Sequence, residues 1–172
     1  MTATRAAAIL VVLAAGVAAT AGARQGRRVV DVAKVGDVLS EHDHDYAGED
    51  VITGVAGGKA FRQARGWMRY SLAVYEDTEV TVACTFLGSE GTRLSFDLVV
   101  EDRPVATRAF TSPSATPAIV ELRVPFAITK GKTNILVMLR ATRESTGPTP
   151  ALLELRTIQD HLQHELPVRS PW

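Results

Sequence analysis

The densest run of polar side chains is Glu41-His42-Asp43-His44-Asp45-Tyr46-Ala47-Gly48-Glu49-Asp50. Oxygen ligands at this density have the chemistry to hold Ca²⁺. The EF-hand spacing is not met. Counted from Asp43, the fifth position is Ala47 and the twelfth is Gly54, where that loop needs carboxylates. His42 and His44 would share one face of an extended strand, a spacing that suits a transition metal. The plainer expectation is a solvated loop without a resident cofactor, in which His44 and Glu49 bond neighbouring strands. A second centre is Trp67, flanked by Arg65 and Arg69. An outward indole can stack on the C–H face of a sugar ring, and arginines donate to its hydroxyls. Trp67 and Arg69, with Arg62, Tyr46 and His44 in the same stretch of chain, are therefore the candidate ligand-binding residues. The competing expectation is a Trp67 at the start of its strand, covered by residues 41–58.

The remaining catalytic chemistries find little support. Cys84 is the single cysteine, so it makes no internal disulfide and no multi-cysteine zinc site. It alternates with Val80, Val82 and Phe86, which reads as a small core residue with nothing nearby to lower its pKa. The acids of residues 41–50 lack a second carboxylate motif with which to form a glycosidase pair. No G-x-G-x-x-G, P-loop, H-E-x-x-H or G-x-S-x-G occurs. Lys and Arg balance Asp and Glu at 19 each, which argues against a nucleic-acid partner.

The elements that must position these residues are strands. The chain has 172 residues, enough for one ordinary domain, with 46% hydrophobic and 22% charged side chains. Met68, Tyr70, Leu72 and Val74 alternate onto one face, with Trp67, Arg69, Ser71 and Ala73 opposite. The same period-two pattern gathers Val80, Val82, Cys84 and Phe86, then Leu94, Phe96, Leu98 and Val100. It continues with Val120, Leu122, Val124 and Phe126, then Ile135, Val137 and Leu139. Residues 150–158 form a last strand candidate. Turn signals separate these runs at 76–77, 88–91, 101–104, 112–114 and 130–132. Strands with one apolar face and short loops pair antiparallel and bury their faces in pairs of sheets. The expected fold is therefore all-β: an antiparallel β-sandwich of about eight strands, jelly-roll or galactose-binding-like. Val82, Cys84, Phe96, Leu98, Leu122 and Val137 should share its core.

Residues 1–23 read as a signal peptide. Arg5 precedes an almost wholly apolar run, Ala6 to Ala23, which ends in small-x-small sites. Cleavage after Ala23 would remove 23 residues from 172 and leave 149. The alternative is a retained anchor, but its 18 residues as a helix cover only about 27 Å of a roughly 30 Å bilayer core. Residues 24–36 are expected to be a leader, flexible at its basic start Arg24–Arg28. The sandwich is expected over 37–158, and a tail over 159–172, in which 159–166 has the makings of a short helix carrying His161 and His164. The mature chain is thus expected to be secreted or periplasmic, with no membrane contact after cleavage.

One ordered set of segments carries a family resemblance. His44-Asp45-Tyr46, Gly48-Glu49-Asp50, Thr53-Gly54 and Phe61-Arg62-Gln63-Ala64-Arg65-Gly66-Trp67-Met68-Arg69-Tyr70 come first. Phe96-Asp97-Leu98-Val99-Val100, Val105-Ala106-Thr107 and Thr129-Lys130-Gly131-Lys132 follow. Together they resemble the β-sandwich substrate-binding domain appended to β-L-arabinofuranosidases of glycoside hydrolase family 146, relatives of family 127. The resemblance spans about residues 37–158. It implies a non-catalytic carbohydrate-binding module. Its ligand would be a plant-type or other polysaccharide, arabinose-containing ones included, and its partner a separate glycosidase. The catalytic helical barrel of those enzymes, with its cysteine nucleophile and zinc, has no counterpart in this sequence. A structural or protein-interaction sandwich docking on an enzyme or envelope partner is the alternative function.

Overall fold

The structure is a computed structural model that describes residues 26–76, 78–88, 93–112, 115–142 and 147–160. The expected signal peptide, His161 and His164 lie outside the described residues. The elements run β1 (Arg27–Lys34), α1 (Val38–Asp43), β2 (Ala47–Ala56), β3 (Lys59–Ala73), β4 (Val80–Phe86) and β5 (Leu94–Val100). They continue with β6 (Arg103–Phe110), β7 (Ala118–Val124), α2 (Phe126–Thr129), β8 (Asn134–Ala141) and β9 (Leu152–Asp160). Among the described residues no helix is long and apolar enough to cross a membrane.

Every strand pairing is antiparallel. Hydrogen bonding runs in the order β6-β5-β8-β3-β9-β4-β7, with β2 added to β3 and β1 to β9. The link from β3 to β9 rests on the single pair Arg62↔Leu152. The network therefore folds there into two leaves, β6-β5-β8-β3-β2 and β7-β4-β9-β1. Their facing surfaces close one core, as alternation requires. Met68, Tyr70 and Leu72 of β3 join Phe96 and Leu98 of β5 and Val137 and Leu139 of β8. Val82, Cys84 and Phe86 of β4, Leu122 of β7 and Leu155 of β9 meet them from the other leaf. The Phe86 ring spans the seam, 5.0 Å from Phe96 and 5.1 Å from Phe110 between centroids. All six expected core residues lie in this cluster.

Tight turns set the registers. Gly57 and Gly58 both have positive φ and close the β2–β3 hairpin in two residues, the geometry that follows the strand twist. Glu101 and Asp102 do the same between β5 and β6, so the expected turn over 101–104 is shorter than its composition suggests. Pro104 is accommodated because β6 is an edge strand of its leaf.

Other expectations differ from the structure too, among them the tail, since β9 runs through Gln159 and Asp160. The described residues hold nine strands, and β1, β2 and β6 are the three that no alternating run marked. The segment expected as a leader contains β1, which pairs with β9 from Arg27↔Asp160 to Lys34↔Glu154. An edge strand with one wet face tolerates charges there, while Ala33 and Val35 enter the core. The polar run expected as a loop instead forms α1 and the start of β2. Finally, Phe126 does not follow Val124 inward. Pro125 breaks the strand, α2 begins, and Ile128 is buried there while Phe126 stays 36% exposed.

Candidate functional site

The five candidate residues fall into two places. Tyr46, Arg62 and His44 belong to a cluster that ties α1, β1, β2 and β3 together. Asp37 caps α1, its Oδ1 accepting from Leu39 N and Ser40 N. The cap aims Glu41 inward. Its carboxylate takes a two-pronged bond from Arg62, Nε to Oε1 and Nη2 to Oε2 at 2.6 Å each, and a third from Gly36 N at 2.8 Å. The Arg62 guanidinium lies 4.5 Å from the Tyr46 ring centroid, and Tyr46 packs 5.1 Å from Tyr70. The Tyr70 hydroxyl is buried near the Glu41 carboxylate, with no partner in strict hydrogen-bond geometry among the described residues. Burial, then the Glu41 charge, push the ionisation of Tyr70 far above its ordinary value. His44 is likewise committed: Nδ1 faces Ser40 O, and Nε2 lies 3.2 Å from Asp31 Oδ1. Asp31 Oδ2 in turn accepts from Ala73 N at 2.7 Å.

These bonds depress three carboxyls. Burial opposes ionisation of Asp31 and Glu41, but the Ala73 N–H with His44, and the Arg62 fork with Gly36 N–H, outweigh it. Glu101 follows the same pattern, with Lys132 Nζ at 2.8 Å and Leu136 N at 2.8 Å offsetting burial. A carboxyl lowered in the folded state stabilises folding above its unfolded pKa, and that contribution is lost as pH falls. The urea midpoint should therefore be flat above about pH 5 and fall as pH drops through about 4 and below. Glu41→Gln should flatten the acid limb. A midpoint that rises on acidification would contradict this account.

Trp67 and Arg69 sit elsewhere, on the outer face of the β6-β5-β8-β3-β2 leaf. Alternation along β3 buries Met68 and Tyr70 completely and turns Trp67 and Arg69 outward, both half-buried. The indole is held at its edge, Nε1 donating to Glu49 Oε2 at 2.8 Å. The Arg69 guanidinium lies 5.6 Å from the ring centroid, and its Nε is buried without a hydrogen-bond partner among the described residues. Two bulge features place Glu49. The β2–β3 register shifts between Glu49 and Val51, and Asp50 has a φ of 50°. A Cβ on Gly66 would come within 2.7 Å of Glu49 O, so only glycine lets the strands approach there.

The register carries the row further. Trp67 pairs with Arg140 on β8, Arg140 with Asp97 on β5, and Asp97 with Thr107 on β6. Arg140 Nη2 bonds Asp97 Oδ2 at 3.0 Å, and Thr107 Oγ1 donates to Asp97 Oδ1 at 2.7 Å. Glu49, Arg140, Asp97 and Thr107 were not among the sequence candidates. Their proximity to Trp67 comes from strand pairing across up to 73 positions in sequence, since Trp67 faces Arg140. Alternation sets Asp97, between Phe96 and Leu98, and Arg140, next to Leu139, on outward faces, but gives no sign that these faces adjoin.

The structure thus joins Trp67 with Arg69 and separates both from Tyr46, Arg62 and His44; the polar ends of Arg62 and His44 are used inside the fold, and the Tyr46 ring packs on Tyr70 and Arg62. No three His, Cys, Asp or Glu side chains converge at metal distance among the described residues. Glu41, His44 and Glu49 point instead to Arg62, Asp31 and Trp67. On the other leaf, a depression of about 240 Å³ is lined mainly by charged side chains, among them the Arg27–Glu121 ion pair at 2.9 Å, and by no aromatic ring.

The same β-sandwich occurs in carbohydrate-binding modules of family 35. One from an environmental isolate aligns with 76% of this chain and 96% of its own at a TM-score of 0.57 and 14% identity. One from Clostridium thermocellum covers 74% and 98%, at 0.53 and 11%. A third, Xyl-CBM35 in complex with a glucuronic acid-containing disaccharide, covers 76% and 97%, at 0.50 and 12%. The likeness is one of fold: an antiparallel β-sandwich shared with those modules. Residues 26–158 match a family of unknown function, DUF6805, and the chain belongs to that family. No curated protein matches its sequence.

Proposed function

We propose that the protein is a non-catalytic carbohydrate-binding module and that it takes its glycan on the outer face around Trp67. The observation that carries this reading is the Glu49–Trp67–Arg69 group. It is an indole fixed at one edge, beside a guanidinium, on an open sheet face. The ring supplies apolar area for a sugar face, and the flanking charges supply donors and acceptors for hydroxyls. The likeness of fold to family 35 modules supports the same class of ligand.

Binding without hydrolysis fits the carboxylate placement. Glu49 on β2 and Asp97 on β5 are three strand spacings apart, about 14 Å at the backbone. Glycosidase pairs work at roughly 5–9.5 Å. Each acid is also already engaged, one by Trp67 and the other by Arg140. Burial pushes the Cys84 thiol up to about 12, so it is no nucleophile at neutral pH.

The reading extends to context. The N-terminal 23 residues export the protein, and the ligand is an arabinose-containing polysaccharide of the plant type. The module serves a separate glycosidase of the family 146 kind. A glycan array that includes arabinan and arabinogalactan fragments tests this with the mature protein. Saturable binding to a defined glycan class is expected, and an array without a binder would contradict the function.

A further inference from the structure

Resting on that reading of Trp67, we infer that the ligand is an internal stretch of a linear glycan about four rings long, laid across the strands. The row that begins at Glu49 and Trp67 does not stop there. It continues through Arg140 and Asp97 to Thr107, one residue on each of five neighbouring strands. Four strand spacings are about 19 Å, and each ring of an extended linear glycan, pyranose or furanose, advances the chain by about one such spacing. A single sugar on the indole would leave the Arg140–Asp97–Thr107 end of the row unused.

That far end is suited to polyol recognition. Arg140 is 48% exposed in its side chain and Asp97 is 18% exposed. Thr107 and Glu49 are exposed. Asp97 already holds Arg140 and Thr107 in place, one on each carboxylate oxygen, so their free donors and lone pairs are fixed before a ligand arrives. Preorganised polar groups of this kind lose little freedom on binding. The row is open at both ends, because it crosses the leaf from β2 to β6. An open row accepts a chain that continues past it, whereas a closed pocket would select a chain terminus.

Calorimetric titration of the full protein with length-graded arabinan, xylan and β-glucan oligosaccharides, one to six residues long, tests this. Affinity should climb with length in the binding series and level off at about four residues. Asp97→Ala should weaken the tetrasaccharide about tenfold, the worth of one charge-assisted hydrogen bond, and leave the disaccharide within about twofold. Thr107→Ala probes the same end should Asp97→Ala fail to fold. If affinity is already full at the disaccharide and both variants bind the tetrasaccharide normally, the extended site is overturned while the Trp67 reading stands. If no length of any series binds, both fall.

Discussion

Arg62→Met is expected to destabilise the protein by about 3–5 kcal/mol, the cost of leaving a buried charge without its partner. Glu41 is 8% exposed in its side chain and Arg62 19%, and two 2.6 Å bonds join them. Removing the guanidinium strands the carboxylate beside Tyr46 and Tyr70, in a setting where burial already disfavours charge. It also removes the cation packed on Tyr46, so β2 and α1 lose a shared anchor. Replacing both partners, Glu41→Met with Arg62→Met, should recover part of the loss, because the uncompensated charge is gone. Recovery stays incomplete, since Gly36 N loses its 2.8 Å acceptor. Denaturant unfolding measures all three proteins. A single-variant loss below about 1 kcal/mol, the scale of a surface pair, would show that the bond is not structural.

The second large effect is in the core. Phe96→Ala should cost about 3–5 kcal/mol, from lost transfer energy and the cavity left behind. Phe96 is fully buried and packs on Phe86 from the opposite leaf. The gap would open at the seam between two sheets, where backbone hydrogen bonding resists collapse. Phe126→Ala is the matched control. Phe126 is 36% exposed as a residue, so the same truncation should cost under about 1 kcal/mol. Equal losses at both positions would mean that the alternation, and with it the outward placement of Trp67, is misassigned.

What the sequence revealed followed from how each strand is buried. Strands buried on one face spelled themselves out, as in Met68-Tyr70-Leu72 and Phe96-Leu98-Val100, because period-two alternation is the direct record of a half-buried strand. The edge strands did not. β1 opens Arg27-Arg28 and is polar on its wet side. β2 and the first half of β3 form a long hairpin whose contacts are mostly with each other. The Gly57-Gly58 pair did mark that hairpin's tip. The helix α1 had a readable cap in Asp37, but the density of acids and histidines after it read as a solvated loop rather than a helix. Half the candidate site emerged for the same reason. The outward phase of Trp67 and Arg69 is local to β3, whereas Glu49, Arg140, Asp97 and Thr107 reach them only through register, which no single segment encodes. Tyr46, Arg62 and His44 have the residue types of a sugar site, and the fold spends them on a buried network instead.

The central claim is that Trp67 belongs to a ligand surface more than to the core. It is tested most directly by measuring melting temperature and glycan titration together on Trp67→Ala. Loss of a stacking indole should cost about 2 kcal/mol or more of binding, the scale of an interface hot spot. Folding should change by less than about 1 kcal/mol, since the residue is only half-buried and its bond to Glu49 lies at the exposed surface. A variant that melts many degrees lower while its folded fraction binds glycan normally would place Trp67 with the core and contradict the account.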